Sequence, residues 1–419
     1  MAGPSASNAF PPPPSFEESV GHTLVELGGT NDSEAFSLLP GGEDAPPDFT
    51  PYEAECSIHS GGVIVSHDPH LNTDGEALYR FLISQAAAPP TYVVHCKGEH
   101  TESRTRYIHG HDSNGRSTTR TEHYNETVVD FNFSIDVGQH IVSGPVHWSI
   151  ADNEPAYRGR MFQQVDSLFG GRTKAARRER KAAQAWRKER AAKGLPPWVG
   201  LGDAGGLAVT DETHHVGVLK SSKTLREWAD DYCGSDKYLK EFVYEKVVYG
   251  WNVGALEAAT RAAILSTGYK GIIMVSFDMS HSKICVRSDN RLSRALSNKW
   301  LKVLFFITLI LPFIWLYKRF HSRGGGRWEV CGGAYAMKQW QQADEEDVGR
   351  FGQDAKTSAL VREEGGTRKL VGVREGEWFR NWESTIRTSV GTRLIDTIPM
   401  TMPIDARANP AAAALDGYL

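Results

Sequence analysis

The strongest pattern in the chain is an unbroken apolar run, Leu301 to Tyr317, in which Lys302 is the only charge. As a helix, 17 residues reach about 25 Å, slightly less than the ~27 Å hydrocarbon core of a thin membrane. Trp300, Trp315 and Tyr317 stand where amphipathic rings prefer headgroups, and Lys318 and Arg319 close the run. The expected anchor is therefore one transmembrane helix over 299–319, core 301–317, carried by Leu301, Phe305, Phe306, Leu309, Pro312, Trp315 and Tyr317. Pro312 admits a second geometry, a monotopic hairpin with both ends on one side. Lys and Arg are balanced across the run, so charge does not orient it.

Elsewhere the periodicity is mixed. Val129, Phe131, Phe133 and Ile135 alternate with Asp130, Asn132 and Ser134, as on a strand with one buried face. Glu102–His111 and Arg116–Tyr124 flank Asp112-Ser113-Asn114-Gly115, whose Asn-Gly suits a tight hairpin; both arms are polar, so the hairpin is expected to project into solvent. Asp74–Ala87 reads as a short helix, although Leu78–Leu82 equally suits a strand. Further on, the pattern predicts a helix from Ser221 or Ser222 to Asp231, a strand over Phe242–Trp251 and a helix over Gly254–Ser266. Ile272–Phe277 and Ile284–Arg287 then read as a hairpin.

The expected fold class is α+β. A disordered acidic, Pro-rich tail (1–51) precedes a mainly β, sandwich-like domain (52–166). A basic helix with a Gly-rich linker (167–206), a small α+β domain (207–290), the apolar segment and a carboxy-terminal tail region (320–419) follow. If the segment spans, that last region lies across the bilayer from residues 52–290.

Charge sharpens this layout. The first 55 residues hold ten Asp or Glu and no Lys or Arg, whereas Arg172–Lys193 holds ten Lys or Arg against Glu179 and Glu189. Arg172, Lys174, Arg177, Arg178, Arg180, Lys181, Arg187, Lys188, Arg190 and Lys193 are expected on one basic helix that meets anionic lipid headgroups. Only Trp186 is aromatic there, so stacking platforms for nucleic acid are lacking. Five widely spaced cysteines without a CxxC pair suit a reducing compartment. No positively charged and then apolar leader opens the sequence, and Ala2 stands where a myristoylated glycine would. An endoplasmic reticulum membrane, with the amino-terminal region cytoplasmic, is the expected location.

The segments Ser66–Leu82, Glu241–Asn252 and Arg323–Lys338 resemble a group of uncharacterised fungal single-pass membrane proteins, a resemblance that implies an anchor but no activity. A partial likeness at 78–100, strand, Pro-Pro, strand and Gly98, is similar to the opening of arrestin-like adaptors. Such adaptors engage ubiquitin ligases through Pro-Pro-x-Tyr motifs, and Pro89, Pro90 and Tyr92 form one here. Pro13-Pro14-Ser15-Phe16 and Pro46-Pro47-Asp48-Phe49 in the tail are near matches that make protein partners an expectation.

Catalytic spacing is absent: there is no GxxxxGK[ST], GxSxG or HExxH, and no GxGxxG between strand and helix. His95, Cys96, His100, His109, His111 and His123 are the one cluster with ligand chemistry, at no diagnostic spacing. No catalytic residue, metal or cofactor is assigned. A membrane-anchored binding or scaffolding protein is the leading expectation, and a membrane-associated enzyme with a site near the histidines is the alternative.

Overall fold

A computed structural model describes residues 52–111, 117–166, 171–200, 221–342, 360–363 and 366–404. The acidic tail with its Pro-Pro-x-Phe motifs lies outside the described residues. The described residues from 53 onward form one compact unit.

Its elements begin with strands β1 (Cys56–Ile58) and β2 (Ile64–Ser66), helices α1 (Pro69–Thr73) and α2 (Gly75–Ala87), and the long strands β3 (Thr91–His111) and β4 (Ser117–Asp136). Next come β5 (Ser143–Ser149), β6 (Tyr157–Arg160), β7 (Gln164–Asp166), β8 (Arg172–Lys174), α3 (Arg177–Ala192) and α4 (Leu225–Cys233). Strand β9 (Leu239–Tyr249), α5 (Val253–Leu265), β10 (Ile272–Ser280) and β11 (Lys283–Arg287) lead to α6 (Arg291–Ser297), α7 (Lys299–Ile307) and α8 (Ile310–Phe320). The chain continues through β12 (Gly325–Ala336), β13 (Gln339–Gln342), β14 (Leu360–Glu363), β15 (Gly366–Val371) and α9 (Glu375–Gly391).

Two sheets organise the unit, and the class is α+β. The larger runs β1-β2-β11-β9-β12-β5, with β6 also on β12; the smaller runs β10-β3-β4. Helices, not a second sheet, cover the buried faces, so the expected sandwich is absent among the described residues. On the larger sheet, Leu78 and Leu82 of α2 and Trp228 and Tyr232 of α4 pack with Phe242, Ile284, Trp328 and Val330. On the smaller, Val94, Cys96, Phe131, Phe133 and Ile135 meet Leu256 of α5 and Trp378, Trp382 and Ile386 of α9. The alternation at 129–135 is thus a buried face, and the outer ribbon, 101–109 with 119–125, is exposed as its polar arms require.

Local signals account for the helix starts. The Asp74 carboxylate accepts from Glu76 N–H at 2.9 Å and the Asn252 side chain from Ala255 N–H at 3.0 Å. Thr224 and Glu227 form a reciprocal capping box, which starts α4 later than Ser221 or Ser222. Lysines do unusual work inside. Lys240 is buried and donates to the carbonyls of Asn72 and Tyr232 at 3.0 Å, Cys233 at 3.1 Å and Ser235 at 3.2 Å, while burial lowers its pKa.

Several sequence expectations are corrected. Leu78–Ala87 is helix, so the first strand required by the arrestin-like pattern is missing; Asp74 caps it and its apolar residues recur at helical spacing. Ile272–Phe277 and Ile284–Arg287 do not pair with one another: β10 lies on β3 and β11 lies between β2 and β9. The boundaries drawn at 166, 207 and 290 separate no compact units, because β5, β9 and β12 share one sheet. Residues 325–336 are no tail but an interior strand, parallel to β9 on one edge and antiparallel to β5 and β6 on the other. Such a strand cannot sit across a bilayer from its sheet partners. Arg172–Lys174 is a strand paired with Gln164–Asp166, so the basic helix begins only at Arg177.

Candidate functional site

The apolar run folds as a bent pair of helices. Asn298 caps α7 by accepting from Trp300 N–H at 3.0 Å, and Asn290 caps α6 by accepting from Ser293 N–H at 2.7 Å. At the other end of α7 the Thr308 hydroxyl donates back to Leu304 O at 2.8 Å, and Leu309 adopts the left-handed conformation (φ 56°, ψ 17°). Pro312 lacks the N–H that would reach back to the Thr308 carbonyl, so a continuous helix fails there, whereas the first turn of a new helix accepts proline. The second arm bends 102° away from the direction of the first, and among the described residues no single helix is long and apolar enough to cross a membrane. The expected straight span over 301–317 is thus replaced by an elbow.

Where the elbow attaches matters most. The Asn290 side chain donates to Tyr238 O, and Tyr238 N–H donates to Arg323 O at 2.9 Å. The excursion therefore leaves and re-enters the body at one residue. Along it no side chain from Lys299 to Phe320 is buried. Phe306 and Phe313 are each 71 % exposed, Ile307 70 % and Leu309 67 %. Of the other expected anchor residues, Leu301, Pro312, Trp315 and Tyr317 are exposed and Phe305 is half-buried. An apolar surface of this extent marks a binding face rather than ordinary solvent contact.

Ionic groups ring the base. Arg287 and Glu241 bond at 2.8 Å, and Arg294 and Asp289 at 2.6 Å. Burial raises the Glu241 carboxyl, but Arg287, Lys318 and Arg327 outweigh it and hold the group below its usual value. Arg319 lies over Trp315 at 5.4 Å, which fixes a cation at the elbow's foot.

The basic helix α3 stands beside this foot. Trp186 and Arg190 are buried and donate to Val199 O at 3.2 Å and 3.1 Å, pinning the helix to the segment that follows it. Arg190 thus faces inward, contrary to its expected place on an anionic surface, because its guanidinium bonds the half-buried Val199 carbonyl. Arg172 pairs with Asp166 at 3.2 Å, Arg187 with Glu154 at 3.7 Å and Lys193 with Glu189 at 2.9 Å. Lys174, Arg177, Arg178, Arg180, Lys181 and Lys188 remain exposed. Between α3 and the β6–β7 wall lies a cleft of about 560 Å³, lined by Arg177, Arg180, Lys181 and Arg187 opposite Tyr157 and Gln163. A smaller cavity shares Tyr157, Gln163 and Arg180 and extends to Lys174 and Arg319. Tyr157, Gln163 and Arg319 were not expected in a site; only the last carries a charge that its sequence position made visible.

Among the described side chains the histidines do not converge, and that of His111 lies outside them. His95 bonds Asn132 at 2.7 Å, His100 bonds Asp130 at 2.7 Å, His123 bonds Thr105 at 3.1 Å and His109 bonds Thr119 at 3.0 Å, strung along the ribbon. Cys96 is buried on the other face, its thiol pushed up to about 12 by burial. Among the described residues no group of three or more His, Cys, Asp or Glu is placed to hold a metal. Tyr92 is 6 % exposed and opens β3, so its ring is not available to a WW-type partner, contrary to the Pro89, Pro90, Tyr92 expectation.

No family model, curated protein or solved structure matches the chain. The arrangement itself, an unburied apolar elbow with a cationic cleft at its foot, is what the chemistry must be read from.

Proposed function

We propose that the chain is a monotopic membrane protein, held in one leaflet by the elbow and presenting its α+β body at the cytoplasmic face as a binding or scaffolding platform. One observation carries this reading: the excursion from Arg291 to Ser322 begins and ends on Tyr238 and buries none of the side chains of α7 and α8. Arms of 9 and 11 residues measure about 14 and 17 Å, and a symmetric 102° elbow reaches about 11–13 Å below its base. That depth stays within one leaflet of a ~30 Å hydrocarbon core. Its arms expose few backbone groups to lipid, since each is helical and the break falls at a single residue. Free cysteines at all five positions suit a reducing side of the membrane.

The platform role draws on the outer ribbon, exposed on both strands from 101 to 109 and from 119 to 125. Because both ends of the excursion meet, replacing residues 299–320 with a short Gly-Ser loop is expected to leave the body folded and release it from membranes. The test is alkaline carbonate extraction of the full chain and of this variant, with circular dichroism of the released protein. Retention of the variant equal to that of the full chain would refute the anchor.

A further inference from the structure

We propose that the cleft between α3 and the β6–β7 wall is a specific site for a lipid headgroup carrying several phosphates, a deepening that rests on the monotopic reading. Four observations combine. First, Arg177, Arg180, Lys181 and Arg187 fall at spacings of three, one and six, which puts them on one face of α3, and all four line the cleft. Second, among the described residues no Asp or Glu lines this cleft or the smaller cavity that shares its wall, so six cations, Lys174 and Arg319 included, face the two cavities while Glu154, paired with Arg187 at 3.7 Å, stands outside the lining. A ligand with one negative charge leaves most of that field uncompensated; a cluster of phosphates does not.

Third, the site is held in shape before anything binds. Trp186 and Arg190 fasten α3 through Val199, and the Arg187 guanidinium donates to Pro155 O at 3.1 Å, tying the helix to the opposite wall. Preorganised donors lose little freedom on binding, and guanidinium forks match phosphate oxygens. The volume of about 560 Å³ lies within the ~300–1,000 Å³ of small-ligand sites, well beyond one phosphate, and Tyr157 and Gln163 supply polar contacts for ring hydroxyls. Fourth, the smaller cavity runs to Arg319, in the last turn of α8, so the cleft opens toward the foot of the elbow. A free polyphosphate gains nothing from that neighbour, whereas a headgroup whose acyl chains lie beside the elbow does. A phosphorylated inositol lipid is the chemistry that satisfies charge, ring size and position together.

The test uses the full chain and two variants, Arg180→Glu/Lys181→Glu in the cleft and Phe306→Ser/Phe313→Ser on the elbow. Calorimetry with short-chain phosphatidylinositol 4,5-bisphosphate below its micelle concentration reads the cleft alone. Flotation with phosphatidylcholine vesicles containing either that lipid class or phosphatidylserine at matched charge reads the bilayer. The cleft variant is expected to bind the short-chain lipid about a hundredfold more weakly, the order expected for two lost charged hydrogen-bonding groups, while the elbow variant binds it unchanged. Equal affinity in the cleft variant, or wild-type flotation that occurs but is no better on the bisphosphate than on matched phosphatidylserine, would overturn the proposal. Short-chain binding that the free inositol trisphosphate headgroup reproduces in full, without preference for bisphosphate vesicles, would assign the cleft to a soluble polyphosphate and overturn the lipid source. Failure of the wild type to float on any vesicle, with cleft-dependent short-chain binding intact, would sink the monotopic reading instead.

Discussion

Replacing Phe306 and Phe313 by serine removes one open aromatic ring from each arm of the elbow, each 71 % exposed. In water they touch little, so their loss takes little from the fold. In the proposed bilayer placement each lies about one helical turn from the bend at Leu309. Fully burying a phenylalanine is worth about 1.5–3 kcal/mol, so the exposed fraction contributes about 1–2 kcal/mol each and about 2–4 kcal/mol for the pair. At about 1.4 kcal/mol per decade, that is a fall of roughly 30- to 1,000-fold in the membrane partition coefficient. Serine in hydrocarbon adds a further cost, which makes the lower bound conservative. The assay is flotation of purified protein with neutral phosphatidylcholine vesicles over a range of lipid concentrations, so that headgroup charge plays no part. A thermal melt of the same samples checks that the body is unchanged. A variant that partitions within about threefold of the wild type would refute the reasoning. So would a melting temperature lowered by many degrees, because it would mean that these rings pack within the protein.

Three further outcomes follow from the same geometry. Lys240→Met should destabilise the body by about 2–4 kcal/mol in urea unfolding, since it strips a buried ammonium from the carbonyls of Asn72, Tyr232, Cys233 and Ser235; a loss below about 0.5 kcal/mol would contradict the cage. The Glu241 carboxyl is held below its usual 4.5 by Arg287, Lys318 and Arg327, so its stabilisation is complete above that pH and is lost as pH falls through the lower folded value. Glu241→Gln should accordingly flatten the stability profile below about pH 4.5 and lower the plateau above it, and an unchanged acid limb would count against this carboxylate. Gly194 has φ +68° and a Cβ there would sit 1.9 Å from the Trp251 carbonyl oxygen, so Gly194→Ala should loosen α3 from the core by more than about 1 kcal/mol, read as faster amide exchange at Trp186–Lys193.

How much of this was legible in the sequence depended on the range of each interaction. The hairpin over 102–124, the apolar alternation at 129–135 and the helix over Gly254–Ser266 rest on neighbours, and they stand close to where the pattern put them. The apolar run is helical at 299–307 and 310–320 but is not the single straight helix expected; Pro312 marked where it could break, whereas the left-handed Leu309 that completes the bend is announced by no residue type. Strand β12 does not announce itself, because Gly325, Gly326, Gly332 and Gly333 break the strand signature. Its glycines answer to partners far along the chain: a Cβ on Gly332 would meet Glu245 O at 2.1 Å and one on Gly333 the Tyr244 hydroxyl at 2.6 Å. The pairing of β10 with β3 and of β11 with β9 was hidden for the same reason, since proximity in sequence favoured a hairpin that the two sheets divide. Of the site, the cations of α3 were visible, but Tyr157, Gln163 and the approach of Arg319 depend on how β6, β7 and α8 meet in space.

The central claim is that the apolar segment enters and leaves on the same side, and accessibility across a sealed membrane tests it most directly. Two specific protease sites, one inserted after Gly205 and one after Gly349, bracket the elbow in sequence. In sealed, right-side-defined membrane vesicles with external protease, the account predicts that both sites are cut together without detergent, because β9 and β12 lie side by side in one sheet. Cleavage at one site while the other stays protected until detergent is added would contradict it.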